Sequence, residues 1–406
     1  MSQPHDSPAQ TRPTTLGHGL QANSPLVFIM AVAAGVSVAN LYYAQPLLHT
    51  LSHAFDVSTG VAGSIITVTQ LGYAVGLVLL VPLGDILVRR LLMTRVLLAA
   101  VLALIAAAMS PHIVSFIVAC FFVGATAVVA QVLVPFAAHL AHAPDRGRVV
   151  GRVMSGLLLG ILLARVVSGF IADAFGWRAV FWMAAGLMLL LTAVLRRALP
   201  DETPQARQSY GALLMSILHL MRDEPILRQR IFYGMSVFAA FSVLWTSLPF
   251  LLSPSPYDYS DSVIGLFGLL GVAGALMASF AGHLHDHGHS RIGTGGALGL
   301  VILSYIIMGL WPYHLMAIIV GIILLDLGVQ GTQILNQSAI YQLRPEARSR
   351  LTTAYMSCFF IGGAVGSAVA ATAFSHFGWT GVAIAGGSFG FLGFLFWLTE
   401  STRLRA

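Results

Sequence analysis

Leu157-Leu158-Leu159-Gly160-Ile161-Leu162-Leu163 is seven residues of unbroken apolar chain. A strand of a membrane barrel alternates lipid-facing with lumen-facing side chains, so a run without alternation points to a helix. The run lies inside a longer apolar stretch, 150 to 173. Crossing the roughly 30 Å of bilayer hydrocarbon takes about 20 residues of helix, and this stretch is long enough. Eleven more such stretches lie near 25–48, 61–83, 92–110, 113–139, 179–195, 229–252, 263–283, 292–311, 315–342, 351–375 and 380–399. Only helices and closed barrels satisfy every backbone group in lipid. Twelve transmembrane helices are therefore expected, in an all-α integral membrane protein.

Composition agrees. Of 406 residues 57% are hydrophobic and only 9% are charged, whereas an ordinary soluble domain carries about a quarter charged residues. A soluble globule would lack the polar surface it needs. The formal charge of +6 comes from 21 basic residues, all arginine. They lie between the apolar runs rather than in one patch, which argues against a nucleic-acid partner and for a topology signal. An even number of spans puts both termini on one side. Nineteen arginines fall in the tails and loops of that side, Arg178 alone falls in the loops opposite, and Arg165 lies within a span. By the positive-inside rule both termini are cytoplasmic. Cys120 and Cys358 lie in separate apolar runs and imply no disulfide framework.

Shifting the chain by 202 residues superposes its halves without gaps over 146 to 180. Arg146, Arg148, Met154, Gly160, Phe175, Gly176 and Trp177 meet Arg348, Arg350, Met356, Gly362, Phe377, Gly378 and Trp379. This marks a 6 + 6 duplication: two parallel six-helix bundles with a site between them, a recurrent transporter plan. The expected organisation is a cytoplasmic N-terminal tail (1–24), a first bundle (25–195), a cytoplasmic central loop (196–228), a second bundle (229–399) and a cytoplasmic tail (400–406). In the central loop Leu213, Leu214, Ile217, Leu218, Leu220 and Met221 recur at helical spacing, which predicts an amphipathic helix on the membrane surface.

Between spans 2 and 3 stands Val81-Pro-Leu-Gly-Asp85-Ile-Leu-Val-Arg89-Arg90, with a counterpart, Gly282-His-Leu-His-Asp286-His-Gly-His-Ser-Arg291, between spans 8 and 9. The first resembles the loop signature G-x-L-A-D-R-x-G-R-R/K of the major facilitator superfamily. That resemblance implies that Asp85, Arg89, Arg90 and Asp286 form a conformational latch holding the halves in the outward-open state. Asn40-Leu-Tyr-Tyr-Ala-Gln-Pro46 with Gln70-Leu-Gly-Tyr73 resembles bacterial efflux permeases of the twelve-helix drug:proton antiporter branch. In span 5, Gly160 and Gly169 keep the outer glycines of the antiporter signature, with Ala164-Arg165 where Gly-Pro belongs.

Polar residues are informative where lipid makes them costly. Asp326 is the one acid deep in a span, and Gln330, Gln333, Gln337 and Tyr341 follow it on one helical stripe. Such a stripe belongs against a water-filled cavity or against another helix. Gln131 of span 4 meets Gln333 at the 202 offset. Since helices 1, 4, 7 and 10 line the cavity in the resembled superfamily, the resemblance assigns substrate binding to Asn40, Tyr43, Gln45, Gln131, Trp245, Gln330, Gln333 and Gln337. An aromatic belt at the membrane interface is the rival reading for Tyr42 and Tyr43. Arg165, the other intramembrane charge, needs a partner or a route to the surface. Asp326 is the expected partner, in a switchable proton-coupling pair; the alternative is that Arg165 grips an anionic substrate. Small-xxx-small spacings such as Gly72/Gly76, Gly156/Gly160 and Gly362/Gly366 are expected to let helices approach closely.

The expected function is secondary active transport of a small organic solute by alternating access, outward in exchange for protons, in a bacterial cytoplasmic (inner) membrane. A facilitator and a proton-coupled importer are the runners-up. The expected partners are the substrate, protons and the lipid bilayer, and the expected state is a monomer. No cofactor or metal site is expected. A chain without lysine has no G-x-x-x-x-G-K-[ST] loop for ATP, and no clustered nucleophile, base or metal set suggests an enzyme.

Overall fold

The computed structural model describes residues 20–201, 209–344 and 347–403. Among them the chain is helical throughout: α1 (Pro25–Ala39), α2 (Leu48–Ala54), α3 (Thr59–Leu79), α4 (Leu83–Ile86), α5 (Arg89–Ala108), α6 (Ile113–Thr126), α7 (Val129–Leu140), α8 (Arg146–Phe175), α9 (Trp177–Ala198), α10 (Tyr210–Asp223), α11 (Pro225–Leu252), α12 (Asp261–Leu266), α13 (Val272–Asp286), α14 (Ser290–Leu310), α15 (Leu315–Tyr341) and α16 (Arg348–Arg403).

Among the described residues nine helices are long and apolar enough to cross a membrane, not the expected twelve. Local chemistry accounts for the difference. The stretch expected to run from 25 to 48 stays helical only to Ala39. Beyond it the chain goes on in turns that put Leu41 N on Val38 O (3.1 Å) and Tyr42 N on Ala39 O (2.9 Å), and Pro46, which has no N–H, follows before α2 begins. The stretch 263–283 is divided by a 3-10 segment, Phe267–Gly271, between α12 and α13. The last apolar helix, Arg348–Thr399, has 52 residues, and its backbone leaves helical geometry at Gly378 (φ 58, ψ −148).

The duplicated Phe-Gly-Trp motif is a corner made twice. Gly176 (φ 83) and Gly378 (φ 58) both occupy the left-handed region, where glycine has no Cβ to clash. The tryptophan that follows is buried each time. Trp177 packs against Phe116 with ring centroids 5.3 Å apart, and Trp379 donates its indole N–H to Met308 O at 2.9 Å.

Small residues set the helix spacing, as expected. A Cβ at Gly160 would collide with the Gly35 backbone of α1, one at Gly72 with Phe121 O of α6, and one at Gly362 would lie 2.6 Å from Met235 Cα. The first half (through α9) and the second (from α11) meet along two seams, α3 on α16 and α8 on α12. Along the first, Gln70 Nε2 of α3 donates to Ser242 Oγ of α11 (3.1 Å) and Ser367 Oγ of α16 to Gly63 O of α3 (3.3 Å), while Thr246 Oγ1 of α11 donates to Ser367 Oγ (2.9 Å) within the second half. In the second, Thr50 Oγ1 donates to Asp261 Oδ2 (2.6 Å) and Ser262 N to Asp173 Oδ2 (3.0 Å). These two bonds tie the halves together at the end of the molecule that carries α2.

At the opposite end the central loop contains α10, started by Ser209 accepting from Ala212 N at 3.3 Å. Its apolar stripe does not lie wholly on a membrane surface. Leu213, Ile217 and Leu220 are buried on the protein, where α10 packs on α11 and α16, and Tyr210 Oη donates to Leu79 O (2.8 Å). Leu218 points away.

Candidate functional site

Arg165 lies mid-way along α8, 2% exposed. Its Nε donates to Gln45 Oε1 at 2.8 Å. Gln45 sits in the turns after α1, so the end of the helix at Ala39 is what delivers this acceptor. The guanidinium carbon stands 3.9 Å from the ring centroid of Trp245, 4.8 Å from Tyr42 and 5.7 Å from Phe241. Desolvated cation–π contacts of this kind are worth about 2 kcal/mol. They also cross between the halves, since Tyr42 belongs to the first and Phe241 and Trp245 to the second. Arg165 Nη2 and Trp245 Nε1 are both buried without a hydrogen-bond partner.

Asp326, 4% exposed on α15, is the carboxylate nearest in role to that charge, and the two attract each other electrostatically. The expected pair is nevertheless not an ion pair in this structure: among the described residues no salt bridge within 4 Å joins them. A row of glycines lines both. Gly265, Gly268, Gly271 and Gly274 recur every third residue, Gly268 and Gly271 in the 3-10 segment, Gly265 on α12 and Gly274 on α13, and a Cβ at each would face α8 or α15. A Cβ at Gly268 would lie 3.1 Å from Arg165 Cδ. At Gly271 it would lie 2.8 Å from Leu162 Cδ2 and 3.2 Å from Asp326 Oδ2, and at Gly274 it would lie 2.8 Å from Gln330 Cγ. The glycine face therefore touches Arg165 at one end and the Asp326–Gln330 turn at the other.

The remaining expected residues are less concentrated. Asn40 and Tyr43 are buried beside this region, and Asn40 Nδ2 donates to Met188 Sδ (3.3 Å) while its Oδ1 has no partner. Tyr42 and Tyr43 are 6% and 4% exposed, which is incompatible with a lipid-facing belt. Gln131 donates to Tyr73 Oη (3.2 Å), Gln333 accepts from Tyr355 Oη (2.8 Å), and Gln337 reaches Met356 Sδ (3.9 Å). Each glutamine is thus held within its own half. At the α10 end, Asp85 has Arg89 and Arg350 as charged neighbours, Arg350 from the other half. Arg89 Nε donates to Gly84 O (3.1 Å), whereas Arg90 pairs with Asp201 (2.5 Å) after α9 instead of with Asp85. The side chain of Asp286 lies outside the described residues.

The model of the family described as Major Facilitator Superfamily matches residues 27–366. The chain belongs to the major facilitator superfamily. It is 47% identical over 372 residues to the uncharacterized transporter YgaY of Escherichia coli O157:H7, covering 92% of this chain and 94% of that one. It is 35% identical over 402 residues to the protein named "Probable transporter SCO4007" of Streptomyces coelicolor, covering 98% and 93%. Among solved structures it is similar to a mutant form of the nucleoside transporter NupG, with TM-score 0.77, 11% identity and coverage of 92% and 99%. A bacterial homolog of the human lysosomal transporter Spinster gives 0.75 at 12% identity, covering 93% and 96%. At such identities these two likenesses concern the fold. Family and relatives together make the chain a multi-pass membrane transporter.

For a major facilitator the sequence reading missed two polar groups. Gln70 and Ser242, with Thr246 and Ser367, bind the halves together, and hydroxyls inside helices carry no sequence signal that separates this from bonding to their own backbone. A second cluster joins α11, α15 and α16: Asn336 Nδ2 donates to Arg230 O (3.2 Å) and Tyr355 Oη (3.2 Å). Arg230 reads as a loop arginine from its position near a span end, yet it is only 9% exposed. The glycine row was legible as a strict period of three.

Proposed function

We propose that this major facilitator is a proton-coupled secondary active transporter of a small organic solute. It works by alternating access across a bacterial inner membrane, with twelve crossings arranged 6 + 6 and both termini in the cytoplasm. The observation that carries the reading is the arrangement of Arg165 and Asp326. Two buried charges attract along one glycine face at the junction of the halves, without being locked together. Rocking the halves moves α8 relative to α12 and α15 and so changes what each charge faces. A proton taken up by Asp326 and a solute bound between the halves then respond to one motion, which is the requirement for coupling.

The resemblance to drug:proton antiporters supports export, with the solute leaving as protons enter. A second reading, uptake together with a proton, is favoured by a specific observation: Arg165 is held by Gln45 and three rings, and its buried Nη2 has no hydrogen-bond partner in the protein. Purified protein in lipid vesicles with an imposed pH gradient tests both against a screen of labelled solutes. Gradient-driven accumulation supports coupling and its sign selects export or uptake. Equal fluxes with the gradient collapsed would refute coupling and leave a facilitator.

A further inference from the structure

We infer that the solute this carrier recognises is an organic anion, a carboxylate or its equivalent attached to a flat apolar body, with Arg165 as its anchor. The inference rests on the transporter reading and gives it a substrate class. On Arg165 and the ring stacked on it the unmet polar groups are donors, whereas the unmet acceptor Asn40 Oδ1 belongs to a side chain bonded to Met188. Arg165 Nη2 and Trp245 Nε1 are donors, both buried and both without an acceptor in the protein. The nearest amide oxygen, Gln45 Oε1, is already taken by Arg165 Nε. No carboxylate pairs with the guanidinium among the described residues. A buried donor left unmade is costly, and a buried charge without a counter-ion more so, so the group that completes this site brings oxygen lone pairs and negative charge.

The walls specify the rest of the molecule. Tyr42, Phe241 and Trp245 surround the guanidinium on aromatic faces, which suit a planar apolar group beside the charge. A cationic solute would meet a fixed positive charge with no carboxylate in contact to offset it. Asp326 meets the same glycine face at Gly271, three residues along from where Arg165 meets it at Gly268, and the charged group acting on it is Arg165. With an anion seated on Arg165, an ionised Asp326 would face a second negative charge. Anion and proton therefore bind together, and this substrate class points to uptake with a proton rather than exchange.

The test uses three probes of one shape and different charge: benzoate, benzamide and benzylammonium, titrated calorimetrically into the full purified chain. Benzoate is expected to bind at least about tenfold tighter than benzamide, a difference of about 1.4 kcal/mol, with benzylammonium weakest. Arg165→Gln is expected to remove the preference for benzoate over benzamide, and Arg165→Lys to keep part of it. If Arg165→Gln does not fold, the charge series on the unmodified chain still decides. Equal affinity for benzoate and benzamide, preference for benzylammonium, or failure of benzoate and longer arylcarboxylates to bind at millimolar concentration would each overturn the proposal. Vesicle uptake separates this from the transporter reading. Accumulation of benzylammonium would uphold transport and sink the anion, whereas benzoate binding with no solute moved would uphold the site and sink transport.

Discussion

The 202-residue repeat lets one half of the molecule serve as a control for the other. Asp326 of α15 corresponds to Gly124 of α6, and Arg165 of α8 to Ser367 of α16. Gly268 and Gly271 correspond to Ile66 and Thr69 of α3. In the first half the equivalent region is closed. A Cβ at Gly124 would collide with Thr69 O, Ile66 is buried, and α3 runs 21 residues without a break. In the second half a 3-10 segment replaces regular helix, glycines replace Ile66 and Thr69, and a carboxylate replaces Gly124. One duplicated frame thus carries a copy in which backbone packs on backbone and a copy in which the close approach at Gly265 continues into glycines that receive the Arg165 and Asp326 side chains. We place coupling in the second copy, because it alone holds charges there.

That contrast can be broken by substitutions in the matched regions. The largest loss of stability is expected for Gly124→Val, which forces side-chain atoms into the Thr69 backbone and costs at least the roughly 1–3 kcal/mol typical of overpacking. Gly271→Ala meets only Leu162 and Asp326 side-chain atoms, so it is expected to fold while losing transport. Thermal unfolding in detergent beside vesicle uptake separates the two. If Gly271→Ala unfolded as readily as Gly124→Val, the second copy would be packing too.

Arg165→Ala against Ser367→Ala sharpens the same comparison. The first loses the Gln45 bond and the ring contacts that join the halves and is expected to abolish uptake. The second loses one hydroxyl bonded to Gly63 O and Thr246, a net contribution of about 1 kcal/mol, and is expected to stay within a few-fold of normal uptake. Similar losses in both would remove the special standing of Arg165. A smaller effect is expected at the α10 end. Asp85→Asn weakens the attraction to Arg89 and, from the other half, Arg350, and is expected to shift the populations of the two arrangements without preventing transport. Cysteine-accessibility labelling on the two faces checks it; an unchanged pattern would make Asp85 a mere turn residue.

How far the sequence reveals this depends on what kind of information each feature needs. Unbroken runs such as Leu157–Leu163, the Phe-Gly-Trp corners and the small-xxx-small rows are local, and the observed helices and close approaches follow them. Helix continuity is less legible. Hydropathy sees an apolar stretch from 25 to 48 but not that the helix stops at Ala39 and leaves Gln45 in the turns beyond. Likewise, Leu213 and Leu218 look equivalent by composition, and only the packing of α10 on α11 and α16 separates the buried one from the exposed one. For the site, the cost of charge in lipid singles out Arg165 and Asp326 without any structure. Their relation does not follow from that cost, because each satisfies it differently: the arginine through Gln45 and aromatic rings, the carboxylate beside a glycine face.

Double electron–electron resonance between spin labels tests the central claim most directly and requires no known substrate. One pair, at His53 and Tyr313, spans the halves at the α2 end, and a second, at Ala143 and His287, spans them at the α10 end; all four positions are exposed. With Cys120 and Cys358 replaced, the two distances are expected to change in opposite senses as pH is lowered, and Asp326→Asn is expected to abolish that pH response while keeping the fold. A single distance at every pH, or the same pH response in Asp326→Asn, would contradict coupling through Asp326.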